Sequence, residues 1–255
     1  MLLAIDIGNT TIAIGIFHNL DLIVSWRIGT RDTLTHDEFQ VLLSGLFSNK
    51  GLSYKDIKGV IISCVVPPLS ETMRRFCQLY IKQAPIHVQP SLLSDMQILV
   101  DDPKSVGVDR LVNAVAAFHR VNSSVIVIDL GTATTIDCVS ESGAFLGGVI
   151  APGIHISADA LFNKTAQLPR LREFYPPHTV IGKNTLSAIN AGVIYGYASL
   201  VDGIVRRAMK EMQEKPRVIA TGGLAYLIKE TSETIESIDP NLNLEGLAVI
   251  YGTLY

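Results

Sequence analysis

The sequence predicts an α/β protein made of two similar halves, each with a mixed β-sheet flanked by helices. Residues 2–17 consist of two apolar strands joined by a polar Asp-x-Gly turn, and residues 124–139 repeat this pattern. In a chain of 255 residues the two copies open two halves of similar size. We therefore expect one domain at 1–120 and a second at 121–255.

The composition favours an extensive buried core and argues against several classes of partner. Hydrophobic residues make up 48 % of the chain, but no apolar run reaches the roughly 18 residues of a membrane span. The net charge is −3 and no block of Lys and Arg stands out. We therefore expect neither a membrane nor a nucleic acid as partner.

The start of the chain and its cysteines both fit a cytoplasmic location. The first ten residues lack a basic region and a cleavage site, so we interpret them as a strand and not as a signal peptide. The three cysteines lack metal-ligand spacing and lie within apolar segments, which suits buried thiols in a reducing compartment. They are Cys64, Cys77 and Cys138.

Hydrophobic periodicity predicts the remaining elements of the first half. Further strands are expected at 22–28, 58–66 and 86–88, helices at 35–47, 69–82 and 107–120, and mostly loop at 90–106. The sharpest boundary is at Thr35, because Glu38 follows three residues later, the spacing of a capping box.

The second half repeats the alternation of strands and helices. Strands are expected at 124–130, 133–139, 144–150 and 217–220, helices at 154–163, 185–214, 224–231 and 244–254, and a loop at 166–177. The front of the helix at 185–214 is rich in small residues, which favours close packing against a partner element.

The two Asp-x-Gly turns are the first candidates for chemistry. Gly8 has no Cβ, so backbone N–H groups of its turn can approach a phosphate closely. Asp6, at the end of the preceding strand, is suited to a metal ion that carries a nucleotide phosphate. Either turn alone is more often an ordinary hairpin, but the pair, followed by a Gly-Gly turn at 222–223, favours nucleotide binding.

Asp109 and Arg110 in the first turn of a predicted helix are the second candidates. An Asp in that position commonly stabilises the helix macrodipole, by about 0.3–1 kcal/mol. Alternatively, Asp109 accepts a proton from a substrate hydroxyl while Arg110 holds an anionic group at the helix N-terminus. A Walker-type phosphate loop is absent, because Gly182-Lys183 is followed by Asn.

Five motifs in order resemble type III pantothenate kinase, within the superfamily of acetate kinases, sugar kinases, heat-shock chaperones and actin. They are DIGNT at 6–10, GVDR at 107–110, DLGTATTID at 129–137, GGVIAPG at 147–153 and GKNT at 182–185. The resemblance covers essentially the whole chain. It implies two ribonuclease H-like, actin-like halves with a cleft between them, and ATP-dependent phosphorylation of pantothenate to 4′-phosphopantothenate, the first step of coenzyme A biosynthesis.

The resemblance also implies roles for individual residues. Asp109 corresponds to the general base, and the pantothenate site comprises Gly107, Val108, Asp109, Arg110 and Thr185. Thr185 is expected from the other subunit of a homodimer. Position 108 departs from the family, which usually has Ala there, so Val108 adds two methyl groups to the pocket.

The nucleotide and its cations are expected at the two turns. By resemblance the ATP site comprises Asp6, Ile7, Gly8, Asn9, Thr10, Thr11, Ile12, Ala13 and Thr132. Asp6 is the expected ligand of the Mg²⁺ that accompanies ATP. Asp129 is the expected ligand of a monovalent cation, K⁺ or NH₄⁺.

Two other functions fit the same fold. Some proteins similar to this family are described as accessory factors for transcription, so a non-catalytic regulator is one alternative. An actin-like ATPase with a protein client is another. Retention of Asp109 together with Asp6, Asp129 and Thr132 favours the enzyme, because a pure binding module has no need of a base beside a phosphate site.

Overall fold

The computed structural model describes residues 1–165, 168–171 and 173–254. Its contacts divide the chain into two compact units. The first comprises residues 1–96, 102–119 and the chain from Asn241 onward, and the second comprises residues 97–101 and 120–240. The end of the chain therefore packs with its beginning. The domain division at residue 120 stays a prediction, as does the cleft.

The first unit contains a five-stranded mixed sheet. Its strands are β1 (Leu2–Ile7), β2 (Thr11–His18), β3 (Asp21–Gly29), β4 (Gly59–Cys64) and β5 (Ile86–His87). They lie in the order β3-β2-β1-β4-β5. β1, β2 and β3 form antiparallel pairs, whereas β4 runs parallel to both β1 and β5.

The second unit repeats this sheet strand for strand. Its strands are β6 (Val125–Leu130), β7 (Ala133–Val139), β8 (Phe145–Pro152), β9 (Arg217–Thr221) and β10 (Ser237–Ile238). The order β10-β9-β6-β7-β8 places β6 where β1 lies in the first unit. Two mixed sheets with one topology confirm the predicted fold class of two similar halves. The two-residue strand β10 was not predicted.

Seven helices flank the sheets in the described part of the chain. They are α1 (His36–Ser48), α2 (Pro67–Phe76), α3 (Val108–Val121), α4 (Ile154–Lys164), α5 (Thr185–Met212), α6 (Ala225–Lys229) and α7 (Leu242–Leu254). The capping box at the start of α1 is confirmed. Thr35 Oγ1 accepts the backbone N–H of Glu38, and the Glu38 carboxylate accepts the backbone N–H of Thr35 at 2.9 Å.

Two predicted helices differ from the observed ones. The helix predicted at 69–82 begins at Pro67, because proline in the first helical turn loses no hydrogen bond. Its α-helical part ends at Phe76, and Cys77–Ile81 forms a π-helical turn that closes at Lys82 with φ of 64°. The helix predicted at 224–231 is observed as the shorter helix α6, Ala225–Lys229.

The loop predicted at 166–177 is irregular wherever it is described. Three of its residues, Ala166, Gln167 and Arg172, lie outside the described residues. The prediction for those three positions therefore remains an expectation.

The C-terminal helix α7 completes the core of the first unit. Leu242, Leu244 and Leu247 are fully buried. A Cβ on Gly246 would lie 2.2 Å from the carbonyl oxygen of Val112, so the backbones of α7 and α3 are in contact. Only glycine allows that approach.

Helix α5 is long and apolar enough to cross a membrane by length and composition. Within its most apolar window 56 % of the residues are buried inside the protein. Its inner face, which includes Ile194, Val201 and Val205, belongs to the core of the second unit. A core helix of a globular protein has these same properties.

Candidate active site

Hydrogen bonds fix the backbone of the first Asp-x-Gly turn, and the tip of the turn is exposed. The Gly8 N–H donates to the carbonyl oxygen of Thr11 at 3.0 Å. Thr30, which follows β3, donates its Oγ1 hydroxyl to the Gly8 carbonyl at 2.7 Å and its N–H to the Thr10 carbonyl at 2.9 Å. Residues 9–11 are exposed. The turn is therefore a fixed polar loop that a ligand can reach.

Asp6, at the end of β1, has a carboxyl group whose pKa is strongly raised. Burial raises the pKa of Asp6 to about 6, although Asn243 Nδ2 donates to Oδ2 at 2.6 Å and the Ser63 hydroxyl also favours the charged form. The carboxylate of Asp109 raises the pKa further, and the Arg27 guanidinium opposes it. A carboxylate in this state gains strongly from a bound cation.

Asp109 lies at the start of α3, where the prediction placed it. Its Oδ1 accepts the backbone N–H of Arg110 at 2.9 Å. A Cβ on Gly107 would lie 2.6 Å from that oxygen, so the glycine leaves room for the carboxylate. Asp109 acts electrostatically on Asp6, so the two predicted carboxylates lie within electrostatic range of each other in the first unit.

The second Asp-x-Gly turn is tighter than the first. The Gly131 N–H donates to the carbonyl oxygen of Ala133 at 3.1 Å, one residue sooner than in the first turn. Two glycines lie beside the carboxylate of Asp129, which precedes this turn. A Cβ on Gly131 would lie 3.2 Å from Asp129 Oδ1, and a Cβ on Gly222 would lie 2.6 Å from it. The two glycines keep this carboxylate uncrowded.

A third glycine supports the same turn from another side. A Cβ on Gly153 would lie 2.0 Å from the carbonyl oxygen of Thr132 and 2.8 Å from that of Gly131. Gly222 also has a φ of 92°, which disfavours any residue with a side chain. The backbone of the turn is therefore packed directly against two other backbone segments.

Thr185 is the first residue of α5 and belongs to the second unit. Asn184 caps the helix, and its Oδ1 accepts the Ser187 N–H at 2.9 Å. Beside Thr185 lies a groove of about 490 Å³ between α4 and α5. The groove is lined by Ser157, Ala158, Leu161, Leu168, Thr185, Ala188, Ile189, Gly192, Val193 and Tyr197.

The predicted site residues fall into two groups. Residues 6–13 and 107–110 lie in the first unit, whereas Asp129, Thr132 and Thr185 lie in the second. The side chains of Ile7, Ile12 and Ala13 are buried in the core. These three can reach a nucleotide only through their main-chain atoms.

Sequence reasoning missed several residues that shape the site. Asn243 contacts Asp6 from the far end of the chain, 237 residues away, and no local pattern indicates that contact. Ser63 could have been found, because it pairs with Asp6 in the register of β1 and β4. Gly153 was part of a recognised motif without an assigned role.

No group of three or more His, Cys, Asp or Glu side chains that could hold a metal ion is found in the described ranges. The thiols of Cys77 and Cys138 are poor nucleophiles, because burial disfavours the thiolate. Burial raises the pKa of Cys77 to about 12 and that of Cys138 to about 11. Cys77 is a buried hydrophobe, as the sequence predicted, whereas Cys64 and Cys138 are only partly buried.

Comparison with known proteins gives a consistent result. The family model of type III pantothenate kinase matches residues 2–207. The chain is 49 % identical over 251 residues to a type III pantothenate kinase of Desulfatibacillum aliphaticivorans, covering 98 % of each chain. It is 50 % identical to one of Desulforapulum autotrophicum, covering 98 % of this chain and 96 % of that one.

Solved structures share the fold at low sequence identity. A Campylobacter jejuni protein assigned to the Baf family of transcriptional activators matches with a TM-score of 0.62 at 19 % identity, covering 99 % of this chain and 98 % of that one. Component A of the (R)-2-hydroxyglutaryl-CoA dehydratase of Acidaminococcus fermentans matches with a TM-score of 0.61 at 15 % identity, covering 98 % and 96 %. At these identities the similarity shows the fold alone.

Proposed function

This chain belongs to the type III pantothenate kinase family, and from that premise we propose how its residues divide the work of the reaction. The protein is a kinase that uses ATP to phosphorylate pantothenate in coenzyme A biosynthesis. Phosphoryl transfer passes through a loose transition state, so the protein mainly positions the reactants and balances charge.

Asp109 is the base that accepts the proton of the attacking 4′-hydroxyl of pantothenate. The observation that carries this assignment is its position at the N-terminus of α3, close enough to Asp6 to raise the pKa of that carboxyl. Arg110, next in the chain, binds the carboxylate of pantothenate. Gly107 and Val108 complete the wall of the substrate site.

The two turns hold the phosphates of ATP. Residues 9–11 are exposed at the tip of the first turn, and Gly8 and Gly131 keep side chains away from the backbone N–H groups. Thr132 adds a hydroxyl group to the second turn. Backbone amides and a hydroxyl stabilise phosphate charge without a lysine.

The donors at Asp6 fit the Mg²⁺ that accompanies ATP. Mg²⁺ commonly takes one or two carboxylates and fills its shell with water and phosphate oxygens. Asp6 is a half-buried carboxylate that is repelled by Asp109. A divalent cation offsets both the cost of burying the charge and the repulsion between the two carboxylates. When bound, the ion neutralises charge that develops on the transferred phosphoryl group.

The surroundings of Asp129 fit a monovalent cation. Its carboxylate lies in a space that a Cβ on Gly131 or Gly222 would fill, and the Leu130 carbonyl borders the same space. One carboxylate with backbone carbonyl oxygens is a suitable donor set for K⁺ or NH₄⁺. Bound there, the cation adds positive charge near the phosphates.

The active protein is a cytoplasmic homodimer in which Thr185 contacts pantothenate from the partner subunit. Exposed apolar side chains near Thr185 support a protein contact on this side of the second unit, among them Val180, Ile181 and Leu186. A monomeric mass at micromolar protein would contradict this assignment. Neither nucleic acid nor a membrane is part of the assembly.

ADP release from ATP, measured with and without pantothenate in K⁺ and in Na⁺ buffer, tests these assignments. We expect turnover that requires pantothenate and falls in Na⁺. Asp109→Asn should lower kcat by about 100-fold or more, the range of a lost general base. Asp21→Asn makes the same chemical change at an exposed position and should leave turnover unaltered.

Other outcomes separate the alternatives. ADP release that is indifferent to pantothenate would indicate an ATPase or another acceptor. ATP binding without any turnover would indicate a regulator, the description carried by the Baf family protein of Campylobacter jejuni. An Asp109→Asn variant as active as Asp21→Asn would overturn the role of Asp109 alone.

A further inference from the structure

The hydroxyl group of Tyr197 lies at the centre of a polar cluster inside the second unit. Tyr197 projects from the middle of α5 and is buried. Its Oη lies 2.9 Å from the carbonyl oxygen of Pro152, 3.0 Å from that of Gly153 and within hydrogen-bond distance of Ser157 Oγ. A phenol has one proton, so Tyr197 shares it between the two carbonyls and accepts the hydroxyl proton of Ser157 in a hydrogen bond.

The carbonyls that Tyr197 holds belong to the segment on which the second turn rests. Pro152 pairs with Ala133 at the end of β8, directly beside the turn. A Cβ on Gly153 would overlap the carbonyl group of Thr132, so no space separates the two backbones. A displacement of Gly153 is therefore transmitted to Thr132, because close-packed interiors pass on small shifts.

Two common backbone anchors are absent at Pro152 and Gly153. Gly153 is the N-cap residue of α4 but has no side chain to cap the helix. Pro152 has no N–H with which to bind a neighbouring strand. Tyr197 supplies the missing anchor from α5, whose inner face is fixed in the core.

We propose that Tyr197 is a positioning residue for the nucleotide, acting through Pro152 and Gly153 on the Gly131–Thr132 turn. The inference rests on the proposed role of Thr132 in binding the phosphates of ATP. Tyr197 touches neither substrate nor metal in this assignment. It sets the position of the backbone that does, and a misplacement of about 1 Å in such a site can slow the reaction strongly.

The test compares Tyr197→Phe with Tyr195→Phe. Tyr195 lies on the same helix and also donates its hydroxyl to a proline carbonyl, that of Pro177 at 3.2 Å, in the segment that precedes α5. Each variant loses one phenol hydroxyl and keeps its ring. The measurements are KM for ATP, KM for pantothenate, kcat, and the affinity for a non-hydrolysable ATP analogue by titration calorimetry.

Tyr197→Phe should raise KM for ATP and the Kd of the analogue by about 10-fold, with KM for pantothenate unchanged. Tyr195→Phe should match the wild type in both nucleotide constants. If Tyr197→Phe only lowers the thermal stability, or the two variants bind the analogue equally well, the positioning role is wrong. The calorimetric comparison decides this even if pantothenate proves not to be the acceptor.

Discussion

The carboxyl group of Asp6 is held in an environment that opposes its charge. Its pKa of about 6 exceeds the ordinary value of 3.8, chiefly because of burial. Between these values the folded protein keeps a proton that the unfolded chain releases, so stability falls as the pH rises through this window. Above pH 6 the full loss of folding stability caused by the buried charge of Asp6 is present. A destabilising buried carboxylate of this kind is consistent with the proposed role of Asp6 in binding Mg²⁺.

Asp6→Asn should therefore stabilise the protein without metal or nucleotide. The neutral amide still accepts the Asn243 hydrogen bond and avoids the buried charge. We expect a gain of about 2–3 kcal/mol in the free energy of unfolding at pH 8, since one pKa unit corresponds to about 1.4 kcal/mol. The gain should shrink to roughly half at pH 5.

Urea denaturation of both proteins in chelator at the two pH values measures this effect. From the proposed role of Asp6 as a Mg²⁺ ligand, the same variant should lose kinase activity, because an amide is a poor ligand for Mg²⁺. A gain in stability that does not depend on pH would contradict the assignment of the penalty to the charge of Asp6.

The long helix α5 also organises a distant loop through one buried carboxylate. Asp202 accepts hydrogen bonds from the hydroxyls of Ser232 and Thr234 at 2.6 and 2.7 Å and from the N–H groups of Glu233 and Thr234 at 2.9 and 3.1 Å. Burial alone would raise the pKa of Asp202, but these four donors together lower it. The loop between α6 and β10 is thereby fixed to α5.

Asp202→Ala should destabilise the protein by about 3 kcal/mol at pH 7, because several buried donors lose their acceptor. The matched control is Glu233→Gln in the same loop, whose exposed pair with Arg206 is expected to contribute less than about 1 kcal/mol. Urea denaturation measures both. Equal effects of the two substitutions would show that the buried carboxylate does not anchor the loop.

Elements with a strong local signal were predictable from the sequence, and the others were not. The capping box at Thr35 and the apolar face of α3 determine helices from neighbouring residues alone. The strand β10 has two residues and exists only because it pairs with β9. The π-helical turn at Cys77–Ile81 likewise has no distinctive amino-acid composition that would predict it. Such elements depend on tertiary contacts that periodicity does not encode.

The residues of the candidate site divide in the same way, into those with a local sequence signal and those that depend on tertiary contacts. The turns and Asp109 stand out because glycine and carboxylates mark places where backbone and charge serve a ligand. Asn243 and Tyr197 act from helices distant in sequence, and an asparagine or tyrosine in an apolar helix gives no sign of its partner. Duplication explains why the overall architecture was predictable, since one hairpin pattern predicted both sheets.

The first unit is built from both ends of the chain, and this makes α7 essential to it. Deleting residues from Asn241 onward removes several fully buried leucines, each contributing about 1.5–3 kcal/mol. Their sum rivals the usual 5–15 kcal/mol stability of a domain. The truncated protein should lose cooperative thermal unfolding of the first unit and become sensitive to protease there.

A chain that stops after Gly252 provides the control. It keeps the buried leucines of α7 and removes Thr253, Leu254 and Tyr255, of which the first two are exposed. This shorter deletion should leave the unfolding curve and the protease pattern unchanged. Full protease resistance of the longer deletion would show that the first unit folds without α7.

The position of α7 also sets an order of events during protein synthesis. A ribosome releases the strands of the first sheet early, at roughly 5–20 residues per second, but α7, which packs with them, is translated only after the whole second unit. The second unit is nearly continuous in sequence and can fold while the nascent chain still grows. Until α7 has been translated, the first sheet exposes apolar surface, so chaperones have a defined interval in which to bind it. Asp6 meets Asn243, which lies 237 residues further along the chain, only after the chain between them has been translated, so the surroundings of this carboxylate form late.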